Sequence, residues 1–202
     1  LQHAESLEGL GLIYFRAGKE DKAQSLLEQA IAVDDSLWRA HNALGVIADG
    51  DHDYERALTH YNNALALNPD SDSALINRGY SMFLNDLYRE AALDFYTVAK
   101  RSDNPRAWRN LAMVYARQGW YEDALETYLE VMKPAEAHNE IGAIAIDNGD
   151  IDAARHHLGE ALRLSPTYFA RAEKNLAELR RLSSVAGESS YSGNRQSSQL
   201  TP

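Results

Sequence analysis

The chain has 202 residues, 45% of them hydrophobic and 25% charged, a globular composition that excludes wholesale disorder. Its 20 Lys and Arg stand against 30 Asp and Glu, a net charge of −10, so nucleic acid and anionic lipid are not expected as partners. Cysteine is absent, which removes disulfides, thiolate metal sites, iron–sulfur clusters and cysteine nucleophiles together, and no apolar run is long enough to span a bilayer.

Taken in chain order, the sequence repeats itself. The first unit carries Leu7, Leu10-Gly11 and Tyr14, a turn at Gly18-Lys19-Glu20-Asp21, then Ala23 and Leu27. The second carries His41, Leu44-Gly45, a turn at Asp49-Gly50-Asp51, then Ala57, Tyr61 and Pro69. The third has Leu75, Arg78-Gly79 and Met82, a turn at Asn85-Asp86, then Ala91 and Phe95. The fourth has Trp108, Leu111-Ala112 and Tyr115, a turn at Gln118-Gly119, then Ala124 and Tyr128. The fifth has His138, Ile141-Gly142, a turn at Asn148-Gly149-Asp150, then Ala154, Leu158 and Pro166. The Gly/Ala marker advances by 34, 34, 33 and 30 residues, and an alanine follows twelve residues after each marker. Two independent markers with one spacing make chance a poor explanation. Each unit predicts two antiparallel helices around a polar turn, with the small marker where the helices cross closely.

Two places depart from the pattern. Arg78 stands where leucine is expected, and the step into the fifth unit is short, with Pro134 expected to cut the preceding helix and alter stacking there. After Pro166 one more helix is predicted, over residues 167–182. Its outer face carries Arg171, Glu173, Lys174, Glu178, Arg180 and Arg181, which suits the cap of a repeat array. The repeat domain with this cap is expected over residues 4–182. Residues 183–202 hold seven serines and two charged residues and are expected to be a disordered tail.

Over residues 4–166 the pattern resembles the tetratricopeptide repeat (TPR), W-x2-L-G-x2-Y followed by A-x3-F and P. The resemblance implies an all-α fold: a right-handed solenoid of about five antiparallel helix pairs with a C-terminal capping helix. It implies a non-catalytic role, the binding of a helical or extended segment of a partner protein.

The residues point the same way. His41 and His138 occupy the place of Trp108 and read as packing groups, while the neighbours His156 and His157 diverge on a helix and cannot share a metal. Asp49, Asp51 and Asp53 open like a calcium loop, but Tyr54 and His60 stand where that loop needs Gly and Glu. Gly9-Leu10-Gly11 lies within a helical pattern and follows no strand, so it is not a phosphate loop. No catalytic residue, cofactor, metal or small-molecule substrate is expected.

Positions six and three before the marker, and one and four after it, share one face of each first helix. They define a candidate protein-binding groove of Leu12, Phe15, Arg39, Asn42, Val46, Ile76, Tyr80, Phe83, Arg106, Arg109, Met113 and Asn139. Tyr80, Phe83 and Met113 are the expected centre, and Arg106 and Arg109 would orient an acidic end of the partner. Asn42, Asn110 and Asn139 offer amides to a peptide backbone. The alternative is that these residues complete the core. The Lys and Asn by which some TPR domains clamp the C-terminal carboxylate of chaperone tails are missing here, with Leu12 where the first Asn would be.

Within the family the chain resembles bacterial TPR lipoproteins that assist secretin assembly, in particular the pilotin-like proteins of tight-adherence (Tad) pilus loci. This resemblance implies a lipoprotein on the periplasmic side of the outer membrane, its lipid-bearing cysteine ahead of Leu1, holding the C-terminal segment of a secretin. The alternatives are a cytoplasmic TPR co-chaperone or complex scaffold, and a TPR module of a larger enzyme.

Overall fold

A computed structural model describes residues 2–165 and 170–181. The tail expected over 183–202, and Pro166 with the expected start of the capping helix, lie outside the described residues. Among those described, every regular element is a helix: α1 (Gln2–Arg16), α2 (Glu20–Val33), α3 (Trp38–Gly50), α4 (Tyr54–Leu67), α5 (Asp72–Leu84), α6 (Tyr88–Ser102), α7 (Pro105–Arg117), α8 (Tyr121–Leu129), α9 (Pro134–Asp147), α10 (Ile151–Leu164) and α11, helical over 170–181. The chain divides into two compact units, Leu1–Leu111 and Ala112–Pro202.

One turn device recurs in both units. Seven residues after each marker the backbone enters the left-handed region, at Gly18, His52, Asp86, Gly119 and Gly149, with φ between 58° and 80°. The amide of that residue donates to the carbonyl three back, and the next amide to the carbonyl five back, as in Lys19 to Tyr14 at 3.0 Å and Asp150 to Ala145 at 2.9 Å. Both bonds occur at all five turns. They satisfy carbonyls that the end of a helix leaves open, the Schellman arrangement. The turn then delivers the N-cap of the second helix, and the side chains of Asp53 and Asp150 accept from the amides of Arg56 and Ala153 there.

The marker explains the pairing. A Cβ added to Gly11, Gly45, Gly79 or Gly142 would lie 2.6 to 2.9 Å from the side chain sixteen residues later: Leu27, Tyr61, Phe95 and Leu158 in turn. Those four side chains are fully buried, as are the alanines Ala23, Ala57, Ala91 and Ala154 one turn before them, and in the fourth repeat Ala124 stands likewise before the buried Tyr128. The second helix lays a large residue onto a backbone that has no side chain, so the two helices cross closely and bury that residue completely.

Both departures have a local cause. Arg78 is held by a second change, Asp94, whose carboxylate accepts two bonds from its guanidinium, each at 2.8 Å; Asn62 accepts a third at 2.9 Å. Asp94 is almost fully buried. In the first repeat the corresponding places are Leu10 and Leu26, so an ion pair replaces an apolar pair. The second helix of the fourth repeat is short as expected, nine residues in α8 against 14 or 15 in α2, α4, α6 and α10, but Pro134 is not what ends it. It does not interrupt α8, which ends at Leu129; it is the first residue of α9, where its fixed φ and missing N–H suit a helix start. In the second unit α11 buries Ala172 and Leu179, and Leu179 joins the cluster of Ile141 and Leu158. That helix covers the last repeat.

Candidate protein-binding face

In the first unit α3 packs on α1 and α5 packs on α3, so the first helices of successive repeats are neighbours. A ladder of polar contacts runs between them. The Glu8 carboxylate accepts from the Ala40 amide at 3.0 Å, Asn77 donates to Asn42 at 3.1 Å, and the Ser81 hydroxyl donates to Asp49 at 2.6 Å. The Tyr61 hydroxyl also donates to Asp49, at 2.7 Å. Burial pushes the Asp49 carboxyl above its usual range, against the opposing pull of these two donors. In the second unit Asn175 donates to Asn139 at 3.1 Å, and Asn148 to the carbonyl of Ala116 at 3.0 Å.

This ladder sorts the twelve expected groove residues. Ile76 and Asn139 are 3% and 1% exposed and belong to the interior, correcting their placement on the surface. The reason is packing between repeats: three residues before the marker, Asn42 and Asn139 accept hydrogen bonds from the first helix or cap that follows and Ile76 is covered as well, whereas Arg109 at the same step in the fourth repeat stays exposed. The Asn42 and Asn139 carbonyls are thereby engaged within the chain, and the Asn110 side-chain nitrogen is buried without a hydrogen-bond partner. In this register Ile76 holds the position before Asn110 that Asn42 holds before Asn77, which leaves the Asn110 amide without the acceptor its counterparts have. Leu12 and Phe15 are half-buried against the cluster of Ala23, Leu27 and Leu44, and Val46 against Tyr61, so these three do serve the core.

What stays open in the first unit is aromatic and basic. Tyr80 is 40% exposed and stacks on Phe83, ring centroids 6.2 Å apart and planes within 24°; Phe83 in turn meets Tyr88 at 5.7 Å. Arg39 lies over the Trp38 ring at 4.6 Å, and the Arg109 Nε donates to the Pro105 carbonyl at 3.2 Å. Arg106 is placed by the start of α7, where the Asn104 side chain accepts from the Arg106 amide at 2.9 Å and Pro105 opens the helix. All three arginines are exposed, and none has a carboxylate partner among the described residues. Met113 is half-buried on α7 and belongs to the second unit.

The histidines form an arrangement that the sequence reading missed. His41 and His60 face each other with Nδ1 atoms 3.2 Å apart, and His138 and His157 do so at 3.0 Å. Both pairs join the residues four before and fifteen after a marker. Only the first member of each pair was read as a packing group; the fixed separation of nineteen residues was the available signal. No group of three or more His, Asp or Glu side chains among the described residues is arranged to hold a metal, and no described helix is long and apolar enough to cross a membrane.

Family models match the same register. The model described as the tetratricopeptide repeat protein 21 C-terminal ARM domain matches residues 4–101, and the tetratricopeptide repeat model matches 105–133 and 135–168. The chain belongs to the tetratricopeptide repeat family. This TPR chain is 24% identical over 187 residues to the tetratricopeptide repeat-containing protein trd-1 of Caenorhabditis elegans, covering 76% of itself and 24% of that protein. It therefore spans about a quarter of that relative's length. Its all-α, solenoid-type fold is also that of PilF from Pseudomonas aeruginosa, with a TM-score of 0.64 at 20% identity over 96% of this chain and 90% of that one. YrrB, described as a TPR protein with an unusual peptide-binding site, gives 0.66 at 16% identity over 83% and 89%. The first TPR of Spaghetti (RPAP3) bound to the HSP90 peptide SRMEEVD gives 0.55 at 24% identity over 58% and 94%.

Proposed function

We propose that this TPR protein is a non-catalytic scaffold that holds a helical or extended segment of a partner protein on the first-helix face of its first unit. The observation that carries the reading is the Tyr80–Phe83 stack, with Tyr80 exposed and Phe83 half-buried, on a unit whose Arg39, Arg106 and Arg109 have no carboxylate partner among the described residues of an otherwise acidic chain. Stacked aromatics give a partner large, rigid area, and unpaired guanidinium groups favour acidic residues beside its apolar ones. Peptide binding by YrrB and by the first TPR of Spaghetti supports the same use of the fold. The finer proposal is that the segment is the C-terminal part of an outer-membrane secretin and that the protein works on the periplasmic side of that membrane. It rests on the resemblance to TPR lipoproteins of pilus loci.

Titration of the chain with a fluorescently labelled C-terminal segment of the secretin from the same genome tests both levels. Saturable binding that Tyr80→Ala with Phe83→Ala abolishes, at unchanged helicity, is the expected result. Capture of a different segment by the same residues keeps the face and overturns the secretin. Binding indifferent to both substitutions overturns the face.

A further inference from the structure

The residues 10, 14 and 17 after the marker form the outward stripe of each second helix, and they are exposed in all five repeats. The first of the three is acidic in four repeats, as Asp21, Glu55, Glu122 and Asp152. That suits the first turn of a helix, where the backbone dipole is positive. The second is polar in the same four, as Ser25, Thr59, Glu126 and His156. In α6, the second helix of the middle repeat, both rules are reversed. Arg89 stands in its first turn, against the dipole, and Leu93 and Tyr96 follow at 66% and 47% exposure. Lys100 continues the stripe one turn on, its Nζ 5.8 Å from the centre of the Tyr96 ring and 5.4 Å from that of Trp108. Neither Arg89 nor Lys100 has a carboxylate partner among the described residues. Of the nearby acids, Asp94 is buried against Arg78, Asp103 accepts from the Trp108 indole at 3.0 Å, and Glu90 lies beside the stripe. Folding explains neither an exposed leucine nor a cation at that helix end.

We propose that the outward face of α6 is a second docking site, separate from the first-helix face, for an amphipathic helix of a partner protein whose apolar turn is bracketed by carboxylates. Three features select that occupant. The stripe has an apolar centre with one cation a turn beyond each side, about 16 Å from Arg89 to Lys100, so a complementary segment carries apolar residues between acids. The backbone of α6 is spent within its own helix, so the face offers no row of amides and carbonyls to an extended strand. A helix, which satisfies its own backbone, needs none. Two cations in a chain of net charge −10 are also too few to hold nucleic acid or an anionic membrane, whereas they suffice to orient one short acidic helix.

The probe is a side-chain-stapled helical peptide of about 14 residues with two leucines one turn apart and a glutamate one turn beyond each. It is titrated into the whole chain and followed by amide NMR. Saturable shifts at α6 and at the Trp108 indole are expected, and Leu93→Gln with Tyr96→Gln should weaken binding about tenfold or more at unchanged circular dichroism. The same peptide with lysines for its glutamates should not bind. Arg89→Glu should weaken the peptide yet raise the urea midpoint, because it restores the acid that the other repeats place there; a lowered midpoint assigns Arg89 to the fold and overturns the proposal. So do a peptide that leaves α6 unmoved, equal binding of the lysine peptide, or binding that Tyr80→Ala abolishes, which places the peptide on the first-helix face. Vesicles of phosphatidylglycerol that move the α6 signals where the peptide does not overturn it in favour of a membrane.

Discussion

Gly45→Ala is a sharp test of the helix crossing because two effects of known sign oppose each other there. In an open helix, alanine in place of glycine gains about 0.5–1 kcal/mol. At Gly45 the new Cβ would sit 2.6 Å from Cε1 and 2.8 Å from Cδ1 of the Tyr61 ring. That ring cannot step aside freely: it is fully buried, and its hydroxyl is tied to Asp49, which is tied to Ser81 of the next repeat. Overpacking of this kind costs about 1–3 kcal/mol, and losing a hydrogen bond to a carboxylate costs about 1.5–3 kcal/mol where the ring is driven off it. The expected net effect is destabilisation of about 1–3 kcal/mol. Gly159→Ala in α10, where an added Cβ meets nothing within 4 Å, is the control and should stabilise by about 0.5–1 kcal/mol. Urea unfolding followed by circular dichroism reads both, and amide exchange in α3 and α4 localises the first. If Gly45→Ala stabilises as much as Gly159→Ala, the helices do not cross closely there and the register behind every position named above is wrong.

Three further outcomes follow from the same geometry. Arg78→Leu restores the residue the repeat pattern expects, yet it should destabilise by about 2–4 kcal/mol because it strands the buried Asp94, whereas Arg78→Leu with Asp94→Leu should recover most of the loss; urea midpoints decide, and a neutral single variant refutes the account. His52→Gly should stabilise by up to about 1 kcal/mol, since a left-handed residue with a side chain costs about 1–2 kcal/mol, and thermal unfolding that shows a loss refutes it. Burial holds His41, His60, His138 and His157 below the ordinary histidine value of 6.5, His157 at about 4 with His138 and His156 adding to the effect. A group whose folded pKa is depressed binds fewer protons folded than unfolded, so the stability due to His157 is present above about pH 6.5 and lost as the pH falls toward about 4, on the order of 2–3 kcal/mol in all. His138→Leu with His157→Leu, the pair that Leu7 and Leu26 supply in the first repeat, should flatten that part of the pH profile, and an unchanged profile rules it out.

The repeat was legible because each of its markers has a single physical job. Gly11, Gly45, Gly79 and Gly142 are small because a large side chain lies on them, and that constraint recurs at every crossing. The turns were legible for their polarity, although His52 and Asp86 hide the left-handed position that Gly18, Gly119 and Gly149 advertise. The binding face was harder to read, because one helix face carries two contacts. Three residues before a marker, Asn42 and Asn139 point at the next first helix rather than at solvent, and Ile76 is buried at the same step. Periodicity along one helix cannot separate a residue facing a neighbouring repeat from one facing a partner; that depends on packing between repeats. The histidine pairs were missed for a related reason: each joins the two helices of one repeat, and no single-helix pattern contains both members.

The polar groups already committed within the chain narrow what a partner can use. Asn42, Asp49 and Ser81 spend hydrogen bonds on neighbouring first helices, so backbone-directed recognition has little left to work with in the first unit. Among the described residues the free capacity of its first-helix face is the Tyr80–Phe83 surface and the three arginines without a carboxylate partner, and these should separate in kinetics. Exposed charges act over distance and are screened by salt, so Arg106→Ala with Arg109→Ala should slow association and flatten its dependence on ionic strength while changing dissociation little. Tyr80→Ala removes area that is dehydrated only in the complex, so it should leave association nearly unchanged and speed dissociation by about thirtyfold, the equivalent of about 2 kcal/mol. Surface plasmon resonance with an immobilised partner segment at two salt concentrations measures both. If the arginine variants speed dissociation as much as Tyr80→Ala does, the guanidinium groups are buried against partner carboxylates at the centre of the interface, and the division into an aromatic centre and a charged rim is wrong.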